Sequence, residues 1–329
     1  MTKKYRWGIL STANIGKKAM IPALQASNMA EVVAVASRDL HRAQRFADDL
    51  NILEAFGDYQ ALIDSPGIDA VYIPLPNHLH KTWSIRAAEA GKHILCEKPL
   101  ALNADECREM IAAAKANGVE LMESFMYRFH PRIMAACEMI RAGEIGPLKT
   151  VDTAFTFHLA DPDDIRLKPE MGGGALMDVG CYCVNLCRLM AGRLPKMVQA
   201  RAVWTSSGVD DQLVGLLDFG DDLFAHFDCA FNQEERQHAI LAGADGYLEI
   251  PFTFNPGEES VSIERVKGMD VISKRTFAGV DVYRLIAEAF MLSIESGKPP
   301  YPVEDAVENM RVIEALLESA RQDGTPVKL

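Results

Sequence analysis

The chain has 329 residues, 49% of them apolar, and a formal net charge of −12. That length suits two domains, with enough apolar side chains for real cores, and the acidic balance argues against a nucleic acid or an anionic membrane as partner. No apolar run approaches the length of a membrane span. The start, MTKKYRWGIL, enters strand-like sequence without the layout of a secretory signal, so a cytoplasmic protein is expected.

The first part of the chain alternates strand and helix patterns. Arg6 to Leu10 is a short apolar run, followed by a helix from about Asn14 that Pro22 should kink or restart, because proline lacks the amide donor. Val32 to Ala36 reads as a strand buried on both faces, and His41 to Leu50 as a helix. Further strands are expected at Ala55–Phe56, Ala70–Pro74, His93–Cys96 and Glu120–Met122, with helices at Tyr59–Asp64, Leu79–Ala90 and Ala104–Asn117. Repeated β-α-β units with short loops predict a doubly wound parallel sheet.

After Glu123 the rhythm changes. A helix at Pro131–Ala142 precedes strand-like runs at 149–157, 196–204, 212–219, 223–231, 237–242 and 247–250, with a hairpin turn at Asp221-Asp222. Ala175–Ala191 reads as a helix, and two more close the chain at Val282–Ser296 and Glu304–Arg321. The division predicted is a dinucleotide-binding domain over 1–123 and an α+β domain with a large, open, mostly antiparallel sheet over 124–329. The seven cysteines are scattered, and no histidine completes a zinc spacing, so buried small hydrophobes are expected rather than a metal site.

Four loops of the first part and the glycine run of the later part carry candidate chemistry. The first strand-to-helix turn offers Ser11, Thr12, Ala13, Asn14 and Ile15 to a dinucleotide; of the G-x-G-x-x-G glycines only Gly16 is kept, as a residue that permits close helix–strand packing. An ordinary tight turn is the competing reading. At the end of the second strand Ser37 and Arg38 come before Asp39, where a ribose contact belongs. A hydroxyl and a guanidinium, with Arg42 nearby, suit a 2′-phosphate, which favours NADP over NAD; a solvated helix start is the alternative. Leu75, Pro76, Asn77 and His80 follow the fourth strand, with Asn77, His78 and His80 able to face a ribose or nicotinamide. Glu97 and Lys98 follow the fifth. In the later part, three consecutive glycines precede Asp178 and Tyr182, which are four positions apart and so share a helical face. A carboxylate and a phenol so placed suit acid–base work, or form a polar pair on a packed helix. Arg166 is read as a substrate contact or a brace for the loop, Arg128 and His130 as cleft residues, and Phe125, Met126 and Phe129 as core or pocket wall.

Glu97-Lys98-Pro99, the Leu75-Pro76-Asn77 loop, the stretch Glu123 to Pro131 and GGGALMDVGCY together resemble the Gfo/Idh/MocA oxidoreductases, most closely the branch with glucose–fructose oxidoreductase, NADP-dependent xylose dehydrogenase and dimeric dihydrodiol dehydrogenase. The resemblance covers nearly the whole chain. It implies a Rossmann domain followed by an α/β domain whose open sheet commonly forms the oligomer interface, here a homodimer or homotetramer. It implies Lys98 near the nicotinamide, with Asp178 and Tyr182 as the aspartate and the acid–base residue. The activity implied is hydride transfer between NADP and an aldose C1, a keto-sugar or a trans-dihydrodiol. A cofactor-binding regulator of the same fold is the alternative of another class.

Overall fold

The computed structural model describes residues 4–329. The chain divides into two compact units: the first runs to Met126 and takes in Asp281–Val307, and the second comprises Tyr127–Val280 and Glu308–Leu329.

In the first unit, strands β1 (Tyr5–Leu10), β2 (Ala30–Ala36), β3 (Glu54–Phe56), β4 (Ala70–Ile73), β5 (His93–Cys96) and β6 (Leu121–Glu123) form one sheet. Its order is β3-β2-β1-β4-β5-β6 and every neighbouring pair is parallel. This is the dinucleotide-fold order, with the direction of strand addition reversing between β1 and β4 while every strand stays parallel. Apolar, β-branched strands supply a two-sided core: Val33, Val35, Val71, Ile73 and Ile94 are all buried. The helices between them are α1 (Ile21–Ala26), α2 (Leu40–Leu50), α3 (Tyr59–Ile63), α4 (His80–Glu89) and α5 (Ala104–Ala116). The predicted disturbance at Pro22 takes a specific form. Gly16–Met20 is a π-helical turn leading into α1, so the widened turn accommodates the missing proline donor.

The second unit opens with α6 (Pro131–Arg141) and β7 (Leu148–His158). It continues through a π-helical turn (Leu176–Gly180) into α7 (Cys181–Ala191), then β8 (Met197–Trp204), β9 (Asp210–Gly220), β10 (Leu223–Ala230), β11 (Asn232–Gly243), β12 (Gly246–Pro251), β13 (Val261–Lys267) and β14 (Asp270–Phe277). Helices α8 (Val282–Ser296) and α9 (Asp305–Arg321) and the short β15 (Val327–Lys328) complete the chain. The sheet of this unit has nine strands in the order β14-β13-β12-β11-β7-β10-β9-β8-β15. Only the central β7–β10 pair is parallel. The hairpin turn falls at Asp221-Asp222 as expected, both residues at positive φ (55° and 59°), the conformation a two-residue turn demands. One face of the sheet packs under α7 and the π turn and buries Leu213, Leu217, Ala225, Phe227 and Leu241. The opposite face leaves Val203, Val214, Leu216 and Phe224 exposed.

Two differences from the sequence reading stand out. Strands β13 and β14 escape the apolar-run criterion because they form an edge hairpin rich in Lys, Arg and Glu, with every residue from Asp270 to Thr276 exposed. The two-domain division at 123/124 also needs revision, since α8 belongs to the first unit: Phe290 is fully buried there, its ring 5.6 Å from that of Trp7 on β1.

Candidate functional site

The two units carry the candidate residues separately, and each half is built differently. In the first, every candidate loop leaves the carboxyl end of a parallel strand, the side on which doubly wound sheets bind ligands. Ser11 directly follows β1 with φ of 145°, a conformation that glycine adopts freely and serine rarely. The backbone thus keeps the glycine geometry at the first position of the motif although the residue does not. Thr12, Ala13 and Ile15 are half-buried and Asn14 is exposed at the start of the helical segment, whose unpaired amides favour anions. The role given to Gly16 does not hold: a Cβ there would meet its nearest neighbour, Ile21 Cδ1, at an ordinary 3.8 Å. The crowded glycine is Gly8, where a Cβ would come within 2.5 Å of Leu62 Cδ2.

At the end of β2, Ser37 is buried and its hydroxyl accepts the Asp39 amide at 3.3 Å. The Asp39 carboxylate turns into the helix, accepting the His41 and Arg42 amides at 2.9 and 3.2 Å, and these bonds, that from Arg42 foremost, hold its carboxyl below the usual range. Asp39 is thereby occupied as the N-cap of α2, while Arg38 and Arg42 stay exposed. Burial pushes the neighbouring Tyr59 phenol up, and the charges of Arg38 and Arg42 act on it in the opposite sense.

After β4, Leu75 is buried, and Pro76 and Asn77 are half-buried in a short 3₁₀ turn. His80 is corrected. Its side chain has no exposed surface, and its ring nitrogens lie 3.0 Å from the Pro99 carbonyl oxygen (Nδ1) and 2.7 Å from that of Leu75 (Nε2). It braces the loop after β4 against the loop after β5 instead of facing a ligand. Burial lowers its pKa. Glu97 accepts the Tyr72 hydroxyl at 2.6 Å; burial raises its carboxyl, opposed by that hydrogen bond and by the Lys98 charge. Lys98 is half-buried and precedes a cis Pro99.

In the second unit, the glycine run is explained by crowding. Gly172 has φ of 75°, ending a 3₁₀ turn. A Cβ on Gly173 would stand 2.3 Å from the Arg166 carbonyl oxygen, and one on Gly174, at φ 118°, 2.2 Å from Asp210 Oδ1. The tight turn folds the Arg166 loop back onto the helix. Gly174 N–H donates to the Arg166 carbonyl at 2.9 Å, and Arg166 Nε donates to Asp178 Oδ2 at 2.6 Å. Arg166 therefore braces Asp178, with a weaker contact to Asp164 at 3.3 Å. The Asp178 charge, against burial, holds the guanidinium even more firmly protonated than usual.

Asp178 is half-buried in the π-helical turn, a feature frequent at functional sites. Tyr182, one turn on in α7, is 6% exposed. Its ring is set by three others: Phe155 and Phe254 at 5.5 Å and Tyr127 at 5.9 Å, with Phe155 and Phe254 stacked on each other at 5.3 Å. Tyr127 in turn donates to Asn185 Oδ1 at 2.6 Å. Arg128 is half-buried in the 3₁₀ turn Met126–Phe129. His130 is buried as the N-cap of α6, its Nδ1 accepting the Arg132 amide at 3.0 Å, and burial lowers its pKa to about 4. The aromatic cage is the part that sequence reasoning missed; Tyr127 stood inside a quoted motif, but Phe155 and Phe254 carry no local signal.

The model of an oxidoreductase family with an NAD-binding Rossmann fold matches residues 5–125, and that of the GFO/IDH/MocA C-terminal domain matches residues 133–249. A D-xylose 1-dehydrogenase (NADP(+)) of Haloferax volcanii is 41% identical over 98% of this chain and 99% of its own length. The chain belongs to the Gfo/Idh/MocA oxidoreductase family. Among solved members, a 3-ketoreductase from Actinomadura kijaniata in complex with NADP and TDP-benzene superposes with a TM-score of 0.89 at 28% identity, over 96% of this chain and 98% of that one. An aldose-aldose oxidoreductase from Caulobacter crescentus gives 0.90 at 27% identity, over 99% and 100%.

Proposed function

We propose that this Gfo/Idh/MocA oxidoreductase is an NADP-dependent sugar dehydrogenase that oxidises an aldose at C1. The observation that carries the reading is the pair of Asp178, oriented by Arg166, and Tyr182, fixed in its aromatic cage one helical turn away. The similarity to a D-xylose 1-dehydrogenase supports it.

NADP fits the first unit. The β1 turn keeps a glycine-like backbone at Ser11, and Asp39, the acidic residue nearest the ribose position, is used up as a helix cap. Arg38 and Arg42 remain exposed beside Ser37, so charge-assisted hydrogen bonds to a 2′-phosphate are available there. Ser11 to Ile15 and the loops at Leu75–Asn77 and Glu97–Lys98 complete the proposed cofactor set. When bound, NADP supplies the hydride acceptor.

The chain's own task is to remove the hydroxyl proton as the carbinol becomes a carbonyl. Tyr182 is assigned as the general base, accepting that proton at its phenolic oxygen. A phenol titrates near 10 in water, so the role needs a cation favouring phenolate, and Lys98 is assigned to supply it. Asp178 accepts hydrogen bonds from neighbouring sugar hydroxyls and orients the ring; the Arg166 guanidinium keeps its carboxyl group aimed.

Purified protein incubated with NADP and a panel of aldoses is expected to form reduced nicotinamide with at least one of them. Silence across the panel, with NADP bound, would overturn the aldose reading. Reduction of a keto-sugar would then take its place, a direction supported by the likeness to the 3-ketoreductase. A homo-oligomer is part of the proposal: Val203, Val214, Leu216 and Phe224 lie exposed on one face of the nine-stranded sheet, and such a patch is usually covered. Sedimentation at micromolar concentration should give a multiple of the 36.3 kDa chain mass.

A further inference from the structure

We propose that Asp210 is a positioning residue of the second half-site: its carboxyl group seats the glycine turn and so fixes Asp178 and Tyr182. The inference rests on the reading of Tyr182 as the proton acceptor and extends it to a residue outside every motif of the sequence.

Asp210 opens β9 and is only 2% exposed. Its Oδ2 accepts the N–H of Leu176, 34 positions earlier in the chain, at 2.6 Å. Leu176 lies in the first turn of the helical segment, where backbone amides lack acceptors within the helix. The other oxygen, Oδ1, lies 2.2 Å from the point where a Cβ on Gly174 would stand. The carboxyl group thus fills the space that any side chain at 174 would need, and Gly174 and Asp210 are a matched pair.

From that seat the constraint passes directly to the chemistry. The Gly174 carbonyl accepts the Asp178 amide at 3.0 Å. The Gly174 amide holds the Arg166 carbonyl, and the Arg166 side chain holds the Asp178 carboxylate. Tyr182 follows one turn later on the same helix. Asp211, the next residue, has a different fate: it is half-buried and accepts the Asn232 side-chain amide at 2.7 Å. Of two adjacent aspartates, one ties strand ends together and the other holds the helix. With so little exposed surface, Asp210 acts through the turn and not on the substrate.

The test compares full-length D210A, D210N and D210E with L241A, which empties a buried position on β11 away from the turn. D-xylose and NADP serve as probes, with kcat, KM, the NADP dissociation constant and the melting temperature as readouts. In D210A, kcat should fall about a hundredfold, the cost of a misplacement of about 1 Å, with NADP affinity unchanged. D210N keeps an oxygen acceptor of the same shape and should restore most of the rate. D210E pushes a longer side chain at Gly174 and should be impaired while still folding. L241A should lower the melting temperature without a matching loss of kcat. A D210A protein that melts earlier but keeps its kcat would show a purely structural role and overturn the proposal; if D210A does not fold, a fully active D210E overturns it. A second readout is independent of turnover. With isotope-labelled tyrosine, the Tyr182 NMR signal, assigned by its loss in Y182F, should shift in D210A and stay in place in L241A. An unmoved signal in D210A overturns the proposal. Inactivity of the parent protein on every sugar refutes the dehydrogenase reading alone, and leaves that NMR comparison to decide the role of Asp210.

Discussion

In the first unit each candidate residue follows its own strand by a few positions: Ser11 after β1, Arg38 after β2, Asn77 after β4, Lys98 after β5. Parallel strands ending on one side of a sheet gather these loops, and contacts such as Tyr72 to Glu97 and His80 to Pro99 brace loops that the topology has already brought together. In the second unit, Asp178 depends on Arg166 12 positions earlier, and its helix start depends on Asp210 at the beginning of β9. The first half-site is a property of topology; the second is a property of packing. Topology tolerates substitution residue by residue, as Ser11 does in standing where a glycine would be easier. Packing does not, because an atom added at Gly173 or Gly174 has nowhere to go.

That contrast is open to attack, beginning with the largest effect. Tyr182→Phe should lower kcat about a hundred- to ten-thousandfold, the usual range for a lost general base, while NADP titration by fluorescence stays unchanged. Equal losses of NADP affinity and rate would erase the separation of the two halves. Gly173→Ala brings a methyl group against the Arg166 carbonyl and should cost about 1–3 kcal/mol in urea unfolding, as overpacking does. The corresponding Gly16→Ala, in open contact distance, should cost little by the same measure.

Arg38→Ala should weaken NADP by about 1.5–3 kcal/mol, the worth of hydrogen bonds to a charged group, and leave NAD binding almost unaltered. Loss of both cofactors alike would mean that Arg38 holds the loop and not a phosphate. The pH dependence of stability sharpens the comparison from the other side. Burial pushes the Asp210 carboxyl up to about 7, opposed by the Leu176 amide, its own amide and the Arg321 charge and reinforced by Asp211. Its folded pKa exceeds the unfolded one, so the folded state binds more protons between them. Its contribution is fully present below about pH 4 and is lost as pH rises through about 7, at a slope of up to about 1.4 kcal/mol per pH unit. Denaturant melts of D210N across that range should lack this component of the slope. The smallest effect is expected at Ser11→Gly, which relieves an unfavourable φ and should change stability by less than about 1 kcal/mol with activity retained.

The sequence alone determined the parallel β-α-β half, the start of the antiparallel half, and the residues Lys98, Asp178 and Tyr182 as candidates. Hydrophobic periodicity, glycine and proline punctuation and short motifs are local signals, and these features are local. It also singled out the glycine run as a backbone requirement, without its cause. Tertiary structure alone decided the rest. Arg166 became a brace for Asp178, His80 a buried strut between loops, and Phe155 and Phe254 the walls around Tyr182. Asp210 became the seat of the helix that carries Asp178 and Tyr182, and α8 joined the unit that its position in the chain did not suggest. Each of these is a contact between residues far apart along the chain, fixed by which surfaces meet when the core closes, and a pattern of neighbours along one strand or helix carries no record of it.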